Sequence, residues 1–228
     1  MFPLGFGRLE SGRVRETGCV PYRDRQQAGT ALAKRLRGYA DRPDVTVLAL
    51  VRGGVPVAAP IAAALRVPLD VLVVRKLGVP WAPEVAFGAV GPGGVIVHNR
   101  DVEAHLTAEE MADVVEGERA ELDRRQHRYR AGRPPLDLAG RTAIIVDDGL
   151  ATGVTARAAI EWVRDHAPAR IVLAVPVAAA DSIRSFDDEV IAVHALRNFG
   201  AVSRWYDRFD QLDDHEVLRL MATPTRRQ

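Results

Sequence analysis

Two adjacent carboxylates, Asp147 and Asp148, come directly after an apolar run and shortly before a loop that could bind an anion. The run Thr142-Ala-Ile-Ile-Val146 is rich in β-branched residues and predicts a strand buried on both faces. The segment Thr152-Gly-Val-Thr155 then leads into an alanine-rich stretch that is typical of a helix. This order places polar groups beside a helix N-terminus, which attracts anions.

The chemistry that suits this segment is recognition of a phosphorylated sugar. Backbone N–H groups and two threonine hydroxyls could converge on a phosphate, in a predicted phosphate loop made of Ala151, Thr152, Gly153, Val154 and Thr155. The two carboxylates could accept hydrogen bonds from the two hydroxyls of a ribose. A ribose 5-phosphate meets both demands. An ordinary loop capped by aspartates is the alternative, but the motif has many fixed positions and the expected strand-loop-helix context.

The pattern of apolar residues, Asp-Asp, three residues, Thr-Gly, one residue and Thr resembles the phosphoribosyl pyrophosphate (PRPP) signature of the type I phosphoribosyltransferases. This resemblance implies an α/β fold with a Rossmann-like parallel-sheet core, a flexible loop or hairpin and a small C-terminal hood. It also implies catalytic roles for Asp147 and Asp148, which would hold the ribose and favour positive charge as it develops there. Competing phosphate loops fit worse, because the chain has neither Gly-x-Gly-x-x-Gly after a strand nor Gly-x4-Gly-Lys.

A second loop, Arg52-Gly53-Gly54, follows the apolar run at residues 45–51 and precedes a predicted helix at about residues 55–65. Adjacent glycines allow a bulky anion to approach the backbone, and Arg52 adds a planar fork of donors. Taken alone, this pattern is more typical of a plain βα turn. In the light of the resemblance, Arg52, Gly53 and Gly54 match the family's pyrophosphate-binding loop, and a non-proline cis peptide is implied near Arg52.

A third basic segment, Arg75-Lys76, ends the predicted strand at residues 69–74. Residues 77–83 contain one glycine and two prolines, which predicts an irregular loop that could act as a lid. The motif Arg75-Lys76-x-Gly-x-Pro80 resembles the flexible loop of adenine-type phosphoribosyltransferases, whose basic residues help to hold pyrophosphate. Trp81 would either cover the site or contact another subunit, and the sequence does not choose between these roles.

The next segment predicts a β-hairpin, with strands at residues 84–90 and 95–98 around Gly91-Pro-Gly-Gly94. The resemblance places Glu84 as a catalytic or substrate-contacting acid, and an exposed hairpin glutamate is the equal alternative. Capping residues predict helix starts at Asp24, Thr107 and Asp213. Two more strands are predicted at residues 170–177 and 190–196.

Residues 1–22 are rich in Gly and Arg and predict an irregular N-terminal arm, which leaves residues 23–228 as a single domain. Hood elements are expected at about residues 77–100 and 198–228. The aromatic residues Phe199, Trp205 and Tyr206 are the candidates to contact a base, although part of this cluster could be core instead.

Composition excludes several classes of protein. The 228 residues carry a net charge of +1, so no overall field favours nucleic acid or an anionic membrane as a partner. Cys19 is the only cysteine, which excludes an internal disulfide and a cysteine metal cluster. No apolar run is long enough to cross a bilayer and no signal pattern begins the chain, so we expect a cytoplasmic protein.

The resemblance implies an enzyme that uses PRPP and Mg²⁺ to transfer phosphoribose to a nitrogenous base or related amine, with release of pyrophosphate. Mg²⁺ is expected to bind through PRPP and water, with Asp147 and Asp148 as the only candidate protein ligands. In relatives that act on 6-oxopurines an Asp exchanges a proton with the base, and the equivalent residue here is Ala151, which disfavours those bases. A PRPP-binding or nucleotide-binding regulator without turnover and a hydrolase or phosphorylase at the same bond remain open. A homodimer is expected by analogy alone.

Overall fold

The protein is described here from a computed structural model, which covers residues 22–222. Residues 1–21 of the predicted arm and residues 223–228 lie outside the described residues. The strands are β1 (Val45–Leu50), β2 (Leu69–Leu72), β3 (Arg75–Val79), β4 (Ala82–Val90), β5 (Ile96–His98), β6 (Thr142–Val146), β7 (Arg170–Ala179) and β8 (Glu189–Leu196). The α-helices are α1 (Arg25–Arg35), α2 (Val55–Leu65), α3 (Arg100–Glu103), α4 (Ala108–Arg130), α5 (Val154–Arg164), α6 (Ala180–Ile183) and α7 (Asp214–Met221).

Five strands form a parallel sheet in the order β2-β1-β6-β7-β8. Consecutive residues of the central strands bury their side chains on opposite faces, because side chains alternate along a strand. Ile144 belongs to the apolar cluster that includes α2, and Ile145 to the cluster that includes α5. Each such side chain stabilises the fold by about 1.5–3 kcal/mol on full burial. The predicted buried parallel sheet is therefore confirmed.

The strand order creates a topological switch point between β1 and β6. From β1 the chain passes to β2 on one side, and from β6 it passes to β7 and β8 on the other. Connections that diverge in this way leave a crevice at the carboxyl ends of the two strands, where open α/β sheets bind ligands. The loops that follow β1 and β6 are the two that contain the predicted pyrophosphate loop and the Asp147-Asp148 pair.

The segment predicted to be an irregular lid contains a strand instead. Residues Arg75–Val79 form β3, which pairs antiparallel with β4 in a three-stranded sheet with β5. Leu77 and Val79 are buried and Gly78 between them is less so, which is the alternation of a half-buried strand. Register shifts on either side of Gly78 accommodate the glycine and the nearby prolines. The predicted hairpin of β4 and β5 is confirmed.

Side-chain caps begin three helices where the sequence predicted them. Asp24 accepts from the backbone N–H of Gln27 at 2.9 Å and begins α1. Thr107 forms a reciprocal capping box that begins α4, and Asp213 caps α7. Within residues 22–222, none of the helices is both long and apolar enough to span a bilayer.

Candidate functional site

The loops after β1 and β6 touch each other at the switch point. A Cβ atom built on Gly53 would lie 2.2 Å from Oδ2 of Asp148. One on Gly54 would lie 2.4 Å from the carbonyl oxygen of Val146 and 2.6 Å from that of Leu50. Both positions therefore need glycine for close approach. The peptide bond between Val51 and Arg52 is cis, as the resemblance implied.

Asp147 and Asp148 sit side by side in a partly buried position at the end of β6. The N–H of Asp148 donates to Oδ1 of Asp147 at 2.8 Å. Burial, and then the negative charge of Asp148, raise the pKa of Asp147 well above its usual range. Burial also raises the pKa of Asp148, and the guanidinium of Arg25 opposes that rise. The site therefore holds two acidic groups whose ionisation depends on the surrounding charges.

Arg25 is a site residue that the sequence did not reveal. Its Nε donates to Oδ2 of Asp148 at 2.8 Å, and the two side chains are only 11% and 14% exposed. The guanidinium carbon lies 3.7 Å from the ring centroid of Phe209, and Nη1 donates to the carbonyl of Asp210 at 2.9 Å. Arg25 thus joins the carboxylate pair to the C-terminal tail. Its only sequence signal is a place in the first turn of α1, where surface arginines are common.

The predicted phosphate loop lies between the carboxylates and α5. Gly153 is the N-cap of α5 in the left-handed region, with φ of 78°. The carbonyl of Ala151 accepts from Oγ of Ser182, and Leu150 forms a β-bridge with Ala178. These contacts attach the loop to β7 and α6, while Thr152 is exposed. The first N–H groups of a helix have no acceptor within the helix, so the loop can present donors to an anion.

The aromatic residues of the C-terminal tail, residues 198–222 of the described chain, pack beside Asp148. The hydroxyl of Tyr206 donates to the backbone oxygen of Asp148 at 2.6 Å. Phe199 and Tyr206 are buried in a small core that includes Tyr22, so their rings offer no free face to a planar base. Their burial agrees with the alternative that part of this cluster is core, and it makes both residues supports of the site. Trp205 is half-buried and stacks on Phe199 with ring centroids 6.2 Å apart.

The basic and acidic residues of the hairpin make polar contacts within their own sheet and with α4. Nε of Arg75 donates to Glu118 at 2.6 Å. Nζ of Lys76 donates to the backbone oxygen of Glu84 at 2.7 Å, and the Glu84 side chain is exposed. Trp81 stands in the turn between β3 and β4 and is 62% exposed. The structure therefore brings Lys76 and Glu84 together but gives them no direct contact with the carboxylate pair among the described residues.

Comparison with known proteins assigns the chain to a family. The family model described as "Phosphoribosyl transferase domain" matches residues 22–199, which is more than half of the chain. The chain belongs to the phosphoribosyltransferase family.

Two further proteins are similar to this chain over most of its length. A protein of Mycobacterium tuberculosis (strain ATCC 25618 / H37Rv) that carries a provisional phosphoribosyl transferase name is 48% identical over 203 residues. The match covers 87% of this chain and 46% of that protein, so the chain spans about half the length of this curated relative. The crystal structure of TT1426 from Thermus thermophilus is 37% identical with a TM-score of 0.72, and the match covers 88% of this chain and 97% of that one.

The described side chains of the site offer few protein ligands to a metal. Asp147 and Asp148 supply hard carboxylate oxygens, which Mg²⁺ prefers. Within residues 22–222, no group of three or more His, Cys, Asp or Glu side chains is arranged to hold a metal ion. The donor set can therefore complete the shell of a Mg²⁺ ion that is carried mainly by phosphate oxygens and water, and it cannot enclose one alone.

Proposed function

We propose that the chain binds PRPP with Mg²⁺ and transfers the phosphoribosyl group to a nitrogenous base or related amine, with release of pyrophosphate. The observation that carries this proposal is the contact between Gly53 and the Asp148 carboxylate at the switch point. That contact joins a loop suited to pyrophosphate to a carboxylate pair suited to ribose hydroxyls. The phosphate loop follows within the same segment, exposes Thr152 and suits the 5-phosphate.

Each part of PRPP has a group of residues that suits it. The 5-phosphate would accept from the N–H groups and hydroxyls of the phosphate loop. The ribose hydroxyls would donate to Asp147 and Asp148, which keeps the sugar in one orientation for attack. The pyrophosphate would accept from the backbone N–H groups of Gly53 and Gly54, with Arg52, Arg75 and Lys76 as additional cations. Bound Mg²⁺ would supply further charge neutralisation for the pyrophosphate.

The reaction replaces one bond at the anomeric carbon with another. The C1–O bond to pyrophosphate breaks and its electron pair leaves with the pyrophosphate. A lone pair on the acceptor nitrogen forms the new C1–N bond with inversion, and the nitrogen loses a proton. Positive charge builds up on the ribose ring in between, and the carboxylates of Asp147 and Asp148 would stabilise it in their ionised forms. Arg25 and Tyr206 act as positioning residues, since both hold Asp148.

Pyrophosphate release from PRPP in the presence of a panel of bases and amines tests this function. We expect at least one acceptor to raise the release well above the rate without acceptor, and 6-oxopurines to be poor acceptors because Ala151 cannot exchange a proton. Release with water alone, together with free ribose 5-phosphate, would assign the chain to hydrolysis. PRPP binding without turnover on any acceptor would assign it to regulation.

Lys76→Ala is expected to lower kcat for pyrophosphate release by about 100-fold, the range measured when one donor to a developing negative charge is removed. Affinity for ribose 5-phosphate should stay unchanged, because that ligand carries no pyrophosphate. Steady-state kinetics and calorimetric titration measure the two quantities. The matched control is Lys34→Ala, which removes the other lysine of the chain from an exposed position on α1. Equal losses of kcat and ribose 5-phosphate affinity would count against the leaving-group role of Lys76.

Arg25→Gln is expected to move the pH dependence of PRPP binding to higher pH. The ionised carboxylate accepts from the ribose hydroxyls, so binding weakens as the pH falls through the raised pKa of Asp148. Arg25 lowers that pKa, and its removal raises it further. PRPP dissociation constants across a pH series measure the shift.

The exposed Arg37→Gln variant serves as the control for this series and should match the wild type. Breaking a pair buried to this degree also costs about 3 kcal/mol of stability, so thermal unfolding must confirm that Arg25→Gln is folded at the assay temperature. An unchanged pH midpoint in a folded Arg25→Gln variant would contradict the role of Arg25.

A further inference from the structure

An open surface cavity of about 440 Å³ lies beside α4 and α7, next to the predicted pyrophosphate loop. We propose that this cavity, named here the arginine pocket, binds the phosphate group of a small molecule at a site separate from the phosphate loop. Its lining residues are Arg52, Arg124, Arg125, Arg128, Asp213, Asp214 and His215.

Three guanidinium groups of the arginine pocket lie around the carboxylate of Asp214, but their N–H groups do not all form hydrogen bonds with it. Arg128 Nη1 lies 3.2 Å from Asp214 Oδ2. Nη1 of Arg52 and Nη1 of Arg124 each lie 3.9 Å from an oxygen of Asp214, too far for a hydrogen bond. The other oxygen of Asp214 already accepts from the hydroxyl of Tyr129. Asp214 therefore leaves the donors that face the cavity available to a second anion.

Neighbouring acids reduce the positive charge of the pocket but do not cancel it. Glu121 accepts from Nε of Arg125 at 2.5 Å and from both Nε and Nη2 of Arg124. Asp213 accepts from the N–H of Glu216 at the start of α7. An arginine carries five donors, so among residues 22–222 these bonds leave N–H groups of Arg124 and Arg125 available to another ligand.

Tyr129 and the arginines of the pocket also act on the ionisation of Asp214. The hydrogen bond from Tyr129, and then the charges of Arg128, Arg124 and Arg125, hold the pKa of Asp214 below its usual range. Arg52 and Arg128 remain 33% and 47% exposed, so both can reach an incoming ligand. Several arginine forks around one space favour a phosphate, because phosphate oxygens accept paired N–H bonds from guanidinium.

The open shape leaves room for the organic part of a phosphorylated small molecule. The lining consists of arginine, aspartate and histidine side chains, which disfavours an apolar ligand. A phosphate monoester places two negative charges among the arginines and leaves room for its organic part. Inorganic phosphate shares the recognised group and serves as the probe.

Arg52 gives the arginine pocket a physical link to the switch point. Its backbone follows the cis peptide in the predicted pyrophosphate loop, while its side chain lines the pocket. A ligand that draws the guanidinium toward the pocket would change the charge available to pyrophosphate. This coupling rests on the proposed function, whereas binding of phosphate in the pocket does not.

Calorimetric titration with inorganic phosphate tests the site with two double variants. In the first, Arg124→Gln combined with Arg128→Gln, phosphate binding at the arginine pocket should weaken by about tenfold or more, as expected for loss of hydrogen bonds between charged groups. Thr152→Ala with Thr155→Ala, in the phosphate loop, should leave that binding intact. Arg119→Gln, an exposed arginine on the same helix, should bind phosphate as the wild type does. Thermal unfolding checks that each variant is folded, and Arg128→Gln alone replaces the pair if the double variant is not.

Two results would overturn the arginine pocket as a phosphate site. One is phosphate binding that is absent from the wild type or equal in the wild type and the arginine variant. The other is complete loss of phosphate binding in the threonine variant, which would assign all of it to the phosphate loop. A protein that binds phosphate through the arginines but fails to bind PRPP would reject the proposed function alone.

Discussion

Asp148→Asn is expected to weaken PRPP binding by about 10-fold to 100-fold and to lower stability less than Arg25→Gln, because asparagine keeps an oxygen that accepts from Arg25. Asparagine keeps the shape of aspartate but offers one neutral acceptor in place of two charged oxygens. Arg25 keeps its contacts with Phe209 and Asp210, which limits the cost of losing its ionic partner. Calorimetric titration with PRPP measures the affinity, and thermal unfolding measures the stability.

The control for this change is Asp181→Asn, which removes an exposed carboxylate from α6 and should leave PRPP affinity unchanged. Equal PRPP affinities in wild type and Asp148→Asn would remove the ribose role of Asp148. A large fall in stability would instead show that the pair with Arg25 holds the fold together.

Gly54→Ala should lower stability more than Asp148→Asn does. The new Cβ would meet two backbone oxygens that cannot move away. Val146 and Leu50 belong to the two central strands, and their carbonyl oxygens lie 2.4 Å and 2.6 Å from the new atom. Overpacking of this kind costs about 3 kcal/mol or more, and the melting temperature should fall by roughly 10 °C. Differential scanning calorimetry measures the change.

Two other glycine substitutions serve as comparisons for the loss of stability in Gly54→Ala. Gly53→Ala places its Cβ against the Asp148 side chain, which can turn away, so we expect a smaller loss of stability but a clear loss of PRPP affinity. Gly38→Ala meets nothing within 4 Å and serves as the neutral control. A melting temperature of Gly54→Ala equal to that of Gly38→Ala would contradict the close approach of the two loops.

Local patterns allowed the sheet core to be predicted from the sequence. The continuous apolar runs of β1 and β6 have few alternatives to a strand buried on both faces. Strand β3 was missed because one glycine and two prolines outweighed the alternation of Leu77 and Val79. Those residues break strands locally, but pairing with β4 through register shifts compensates for them.

The sequence predicts the candidate site only where the site residues are contiguous in the chain. Asp147, Asp148 and the phosphate loop lie within one short segment, so their spacing carries the pattern. Arg25 lies 123 positions before Asp148, and their contact depends on how α1 packs beside the sheet. Tyr206 is similar, since nothing in its sequence neighbourhood indicates a bond to the backbone of Asp148. Contacts that depend on tertiary packing leave no local signal in a single sequence.

Calorimetric titration of the wild-type protein with PRPP, in the presence and absence of Mg²⁺, tests the proposed function most directly. We expect tight binding with Mg²⁺ and much weaker binding without it, because bound Mg²⁺ would neutralise much of the charge on the pyrophosphate oxygens. Failure to bind PRPP under both conditions, together with binding of a nucleoside monophosphate, would contradict phosphoribosyl transfer from PRPP.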